Sequence, residues 1–144
     1  MKSKQFLFIV IATLFLLTDA NADTALTLPE NAVTLDVAGS GGGGADIIFY
    51  DAFGSEVLKR EVKCVNGGYN SFKGHLSRAT EKQVMGNGEL FIQVKSGTDI
   101  EKWINRFVSQ PGRDLNKYKN VTLTVVDDSG KTLYNGGITK TKKK

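Results

Sequence analysis

Alternation of apolar and polar residues predicts β-strands over most of the chain from residue 33 onward. In the range 33–37 every second residue is apolar, and the range 89–96 repeats the pattern. A period of two places alternate side chains on opposite faces of a strand. Similar patterns or short apolar runs predict further strands over 47–50, 57–64, 121–126 and 132–139. We therefore expect a mainly β protein.

A helical pattern lies between two of these strands. Its apolar positions are spaced three and four residues apart, as on one face of a helix: Ile100, Trp103, Ile104, Phe107 and Val108. Thr98 and Glu101 have the spacing of a capping box, and Pro111 with Gly112 ends the helix. The sequence thus predicts one amphipathic helix that packs on a sheet.

Turn residues set the expected topology. Asn66-Gly67-Gly68 predicts a hairpin with 69–74 as its return strand, and Asp127-Asp128-Ser129-Gly130 predicts another. The range 75–88 is not assigned beyond a turn at 85–88, and no strand–helix–strand alternation is expected. The predicted fold is mainly β with one α-helix: a small antiparallel β-barrel or sandwich with a packed amphipathic helix.

The N-terminus has the pattern of a secretory signal peptide. Lys2 and Lys4 precede an apolar run from Phe6 to Leu17, and small residues up to Ala22 follow. The run is shorter than the roughly 20 residues that span a bilayer, which disfavours an uncleaved N-terminal anchor. After cleavage no stable membrane span is expected. We predict a signal peptide at 1–22, a single β-rich domain at 23–139 and a basic tail at 140–144. The protein is then exported, to a periplasm or into the medium.

Charge and cysteine content narrow the function classes. The formal net charge is +4, and outside the tail the basic residues are scattered rather than gathered in a stripe. This distribution is not typical of a nucleic-acid-binding protein. Cys64 is the only cysteine, so no internal disulfide can form. Its strand position favours a small buried residue, and the alternative is a bridge between subunits.

The sequence contains no recognisable catalytic or metal-binding motif. His75, the only histidine, and Cys64 are too few for a structural zinc site. A hydrolase would need His75 as its base, yet no nucleophile-elbow pattern surrounds the nearby Ser71 or Ser77. The glycine run at 39–44 is not followed by the Lys-Ser/Thr of a phosphate-binding loop. We predict no catalytic residues, no cofactor, no metal and no enzymatic activity.

Aromatic residues are the remaining candidates for a binding surface. Five of them cluster around the two predicted turns: Phe49, Tyr50, Phe53, Tyr69 and Phe72. If exposed, they form a contact with a partner or another subunit. Trp103 lies on the helix stripe and is expected in the core.

The C-terminal half resembles a known family. A strand ending in Lys95-Ser96-Gly97-Thr98, a short helix with Trp103 and a hairpin through Asp127–Gly130 follow in that order. Over residues 89–139 this order is similar to the tail-tube proteins of contractile phages and the tube proteins of related secretion systems. The resemblance implies a small β-barrel with a helix on its side, stacked as rings into a hollow tube.

These observations give one leading hypothesis and two alternatives. The leading hypothesis is an exported, non-enzymatic β-protein that assembles with itself as a ring or tube subunit or structural component, through strand edges and the loop 39–44. Its partners are itself or another exported protein. The alternatives are a monomeric binding or inhibitory module, and a hydrolase that uses His75.

Overall fold

The computed structural model describes Ala25, residues 27–37 and residues 44–140. The predicted signal peptide at 1–22, residues 39–43 of the glycine run and residues 141–144 of the tail lie outside the described residues. Predictions about export, the glycine loop and the basic tail therefore remain predictions.

The described residues form one six-stranded sheet with the strands in chain order. The strands are β1 (Thr34–Val37), β2 (Ile47–Tyr50), β3 (Glu56–Val65), β4 (Asn87–Val94), β5 (Asn120–Asp127) and β6 (Thr132–Gly137). Helix α1 (Tyr69–Arg78) continues into a π-helical turn (Ala79–Gln83), and helix α2 (Ile100–Val108) is followed by a 3₁₀ turn (Leu115–Tyr118). No helix in this part of the chain has the length and apolar character needed to cross a membrane.

The sheet is mixed and open. β3 pairs with β4 and β4 with β5 in parallel, whereas the remaining neighbours pair antiparallel. Parallel neighbours need a crossover connection, which α1 and α2 supply. The mainly β fold with a packed amphipathic helix is confirmed. The antiparallel barrel or sandwich is wrong, because the sheet does not close and two strand–helix–strand units run through its centre.

Helix α1 is the element that the sequence pattern did not predict. It occupies the range expected to hold a hairpin return strand, and Gly68 is its N-cap residue. Its buried residues are Tyr69, Phe72 and Leu76, a helical spacing. The positions between them include Asn70, Ser71 and Gly74, so the stripe is narrow and the helix propensity is low. The helix therefore depends on packing against the sheet.

Helix α2 has the predicted apolar face but a different cap. Ile104 and Phe107 are fully buried, and Trp103 packs half-buried against the same core. The cap is Asp99, whose carboxylate accepts a hydrogen bond from the Lys102 amide at 3.0 Å. Thr98 instead donates its hydroxyl to the Lys95 carbonyl at 2.7 Å, so its prediction as the cap is wrong.

The two faces of the sheet carry separate cores. Both helices pack on one face, over residues that include Leu90, Ile92 and Leu123. The opposite face has a smaller core, whose buried members are Ala25, Val37, Ile47, Phe49, Val62, Phe91 and Val126. The N-terminal segment thus covers part of the face opposite α1 and α2.

Arg60 holds that N-terminal segment against the sheet. Its guanidinium donates to the carbonyl oxygens of Ala25 and Thr27 at 2.6 and 2.9 Å. Glu89, opposite it on β4, accepts from Nε at 2.7 Å, and the cation lies 4.8 Å from the centre of the Phe49 ring. Arg60 is only 8% exposed, so it is a buried cation whose charge is paired and whose donors are used.

Candidate functional site

The five aromatic residues expected at a contact surface do not lie together. Phe49 and Phe72 are completely buried and Tyr69 is 7% exposed, whereas Tyr50 is half-buried. Phe53 is 93% exposed. The predicted contact is therefore wrong for Phe49, Tyr69 and Phe72, because their rings form part of the two cores.

Tyr69 and Phe72 pack with Trp103 where α1 meets α2. The Trp103 ring lies 6.4 Å from the ring of Tyr69 and 5.4 Å from that of Phe72. Phe49 lies on the opposite face of the sheet, under the guanidinium of Arg60. The predicted aromatic cluster is thus divided between two sides of the sheet.

Phe53 is held on a fixed turn between β2 and β3. One carboxylate oxygen of Asp51 accepts hydrogen bonds from the amides of Phe53 and Ser55, at 2.8 and 2.9 Å. Gly54 follows with a φ of 80°, a conformation that glycine adopts without strain. The backbone therefore presents an exposed ring with little freedom to withdraw it.

A polar cluster joins β3 to the start of β2 on the helix-covered face. Glu61 is completely buried and forms an ion pair with Lys63. The amide of Asp46 donates to Glu61 at 3.0 Å, and a carboxylate oxygen of Asp46 accepts from the Val62 amide at 2.9 Å. Lys63 also lies 3.8 Å from Asp46. These contacts connect β2 and β3 immediately after the glycine run.

Burial dominates the electrostatics of this cluster. It raises the pKa of Glu61 to about 7, although the ion pair with Lys63 opposes the change. The pKa of His75 on α1 is lowered, first by burial and then by the charges of Lys63 and Arg78. Sequence patterns did not reveal the cluster, because charged residues that alternate along a strand are normally expected on a solvent face.

The described contacts do not assemble a hydrolase site. Within residues 44–140, no hydrogen bond joins His75 to Ser71, Ser77 or Cys64. Cys64 is half-buried, and its thiol contacts the Asn66 side-chain oxygen at 3.6 Å. Burial raises the pKa of this thiol, which favours its unreactive form. No cluster of three or more histidine, cysteine or acidic side chains in the described ranges is placed to hold a metal ion.

The described sheet is open and has two edge strands. β1 and β6 each have one neighbour among the described strands. The pairings make β1 parallel in direction to β3 and β5, and β6 opposite to them. β6 contains neither proline nor a charged residue, although natural edge strands commonly use both to prevent pairing.

Comparison with known proteins adds no relative: no family model, no curated protein and no solved structure matches the chain. The resemblance of residues 89–139 to tail-tube proteins therefore stays a prediction.

Proposed function

We propose that this protein is an exported, non-enzymatic structural subunit that assembles by pairing β6 of one copy with β1 of the next. The observation that carries the proposal is the open sheet, whose two edge strands run in opposite directions. Translation of a second copy along the sheet brings its β1 beside β6 in the antiparallel orientation. Such head-to-tail contacts generate a ring if the rotation closes and a filament if it does not.

Charge supports this pairing over the pairing of two β6 strands. β1 carries the exposed Asp36, whereas Lys131 and Lys140 flank the uncharged β6. Opposite charges therefore meet when β1 of one copy approaches β6 of another. Two β6 strands paired with each other would instead bring four lysines to one contact, a repulsive arrangement.

One end of β6 is already occupied. The carbonyl of Gly137 accepts hydrogen bonds from the Tyr134 hydroxyl at 2.5 Å and from the Thr139 amide at 2.9 Å. The region left for a second copy is Thr132–Gly136, which is long enough for the short β1. Hydrogen bonds between the two copies are thus limited to this five-residue part of β6.

The test is the size of the chain 23–144 over a range of concentrations, measured by light scattering and viewed by negative-stain microscopy. We expect growth with concentration. Asn135→Asp should leave a monomer, because an acidic side chain on β6 repels the Asp36 that β1 of the next copy carries. Thr122→Asp is the matched control. Thr122 is exposed on the same face but one strand further in, and this variant should assemble normally.

A wild-type chain that remains monomeric at every concentration would overturn the proposal. So would an Asn135→Asp variant that assembles as well as the control. The monomeric outcome would favour the alternative hypothesis, a monomeric binding module with the exposed Phe53 as its contact residue.

A further inference from the structure

Arg113, in the loop after α2, is a cation fixed by neutral groups. Its guanidinium lies 3.7 Å from the centre of the Phe107 ring. Nη1 donates to the hydroxyls of Ser77 and Tyr118 at 3.3 and 3.2 Å, and Nη2 donates to the side-chain oxygen of Gln110. The side chain is therefore positioned without an acidic partner.

The carboxylates near Arg113 are engaged elsewhere. Glu81 lies 3.8 Å from the ammonium group of Lys117. Asp114 caps the 3₁₀ turn by accepting a hydrogen bond from the Asn116 amide at 3.0 Å. Among the described residues, no carboxylate forms an ion pair with Arg113. Arg113 thus has no acidic partner of its own, although Glu81 and Asp114 lie in the same part of the surface.

Two adjoining hollows open beside this guanidinium. The first, of about 280 Å³, is lined by residues that include Arg113. The second, of about 440 Å³, is lined by residues that include Thr80 and Met85. Glu81 and Lys117 line both, so the hollows adjoin, and we refer to the two together as the cleft. Pockets of several hundred cubic ångströms hold small organic ligands.

Buried polar atoms in the walls of this cleft have unused hydrogen-bonding capacity. Arg113 Nε and the hydroxyl of Thr80 have no hydrogen-bond partner among the described residues. Thr80 is completely buried and lies in the π-helical turn, a distortion that is frequent at functional sites. An unsatisfied buried polar group is costly, and a ligand that supplies the missing partner recovers that cost.

The mouth of the cleft is apolar on one side. Met85 is 73% exposed and has a φ of 54°, a conformation that non-glycine residues rarely adopt. Its exposed side chain lines the second hollow. A thioether at this position favours contact with an apolar body.

We infer that this cleft binds a small organic acid, a molecule with a carboxylate or phosphate group on an apolar body. The anionic group occupies the side of Arg113 formed by Nε and Nη2, where it displaces the side chain of Gln110 and makes paired hydrogen bonds. The apolar body lies over Met85. None of the residues that line the cleft belongs to β1 or β6, so the inference does not depend on assembly.

The test is a titration of the ¹⁵N-labelled chain 23–144 with hexanoate, followed by amide chemical shifts. We expect saturable shifts at Thr80, Gly86 and Arg113. Hexan-1-ol, which lacks the anion, should bind at least about tenfold more weakly, the factor that corresponds to one paired hydrogen bond to a charged group. Hexyl phosphate in parallel identifies the preferred anion, and saturation by either acid supports the inference.

Two variants and a matched control complete the test. Arg113→Lys keeps the charge but loses the planar pair of donors, and it should weaken hexanoate binding by about tenfold. Gln110→Ala frees Nη2 and should tighten binding. Arg106→Lys is the control, because Arg106 also stacks on an aromatic ring, 4.1 Å from the centre of Tyr69, but lines neither hollow.

Absence of saturable shifts with both acids would overturn the inference. Hexanoate affinity that is the same in Arg113→Lys and the wild type would overturn it as well. Urea unfolding of each variant separates a lost site from a lost fold. If Arg113→Lys does not fold, Gln110→Ala decides the question, since unchanged or weaker binding in that variant contradicts the displacement of Gln110.

Discussion

Glu61 is a carboxyl group that the fold keeps out of water beside a lysine. Its pKa rises from 4.5 to about 7 because burial outweighs the ion pair with Lys63. The native state therefore retains a proton that the unfolded chain releases. The stabilising contribution is complete below about pH 4.5 and is lost as the pH rises through about 7.

We predict that Glu61→Gln removes this pH dependence. The free energy of unfolding of the wild type, relative to that of the variant, should fall between pH 4.5 and 7 by an amount on the order of 2 kcal/mol. The ion pair with Lys63 forms only when Glu61 is ionised, so its effect is already contained in the pKa of Glu61. Urea unfolding at half-unit pH steps measures the difference.

Glu56→Gln controls for the loss of a carboxyl group from the same strand, because Glu56 is exposed. Parallel pH profiles for the wild type and Glu61→Gln would contradict the prediction.

At the residue scale, the sequence predicts the role of a side chain when its partners are only a few positions away in the chain. Asp127 was expected as a turn former, and one of its oxygens accepts hydrogen bonds from the amides of Ser129 and Lys131 at 2.9 and 3.0 Å. The hydrogen bond from the Ser129 hydroxyl is the main cause of the lowered pKa of Asp127. The burial of Glu61 was not predictable, because it depends on strand order and on a helix that the pattern did not reveal.

Among the elements, α2 allows a direct test of which residue caps its N-terminus. Asp99 accepts a hydrogen bond from the Lys102 amide, an otherwise unsatisfied donor of the first turn. Asp99→Ala should therefore lower the free energy of unfolding by about 1 kcal/mol. Thr98→Ala should cost less, since Thr98 caps no helical amide. Urea denaturation of both variants makes the comparison, and a larger loss for Thr98→Ala would contradict it.

The two helices show why one element was predictable and the other was not. α2 carries a continuous apolar stripe, which identifies a helix whatever it packs against. α1 begins at a glycine pair that equally well starts a hairpin. The parallel pairing of β3 with β4 resolves that ambiguity, because only a crossover connection joins parallel strands. This constraint involves residues far apart in the chain, so no local pattern contains it.

For the whole molecule, Arg60 is the point where the N-terminal segment joins the rest of the fold. We predict that Arg60→Met accelerates cleavage by thermolysin before Leu28 or Val33, which are 48% and 55% exposed. The two carbonyl contacts are lost, so the segment separates from the sheet more often. Limited proteolysis followed by mass spectrometry measures the rate.

Lys59→Met is the control for that experiment, because it changes the adjacent residue of β3 without touching the segment. Equal cleavage rates in Arg60→Met and the wild type would show that the segment is held by other contacts.

The Arg60 contacts also bear on the order in which parts of the chain become fixed during folding. Ala25 and Thr27 leave the ribosome early, but the arginine that binds them follows 35 and 33 residues later, and Glu89 comes 29 residues after Arg60. The segment therefore cannot attach through these contacts until Arg60 has been made, and contacts this distant in sequence form slowly. The part of the described chain that is made first should thus become fixed late. If the chain is exported as proposed, a free leading end is what a secretion channel would receive.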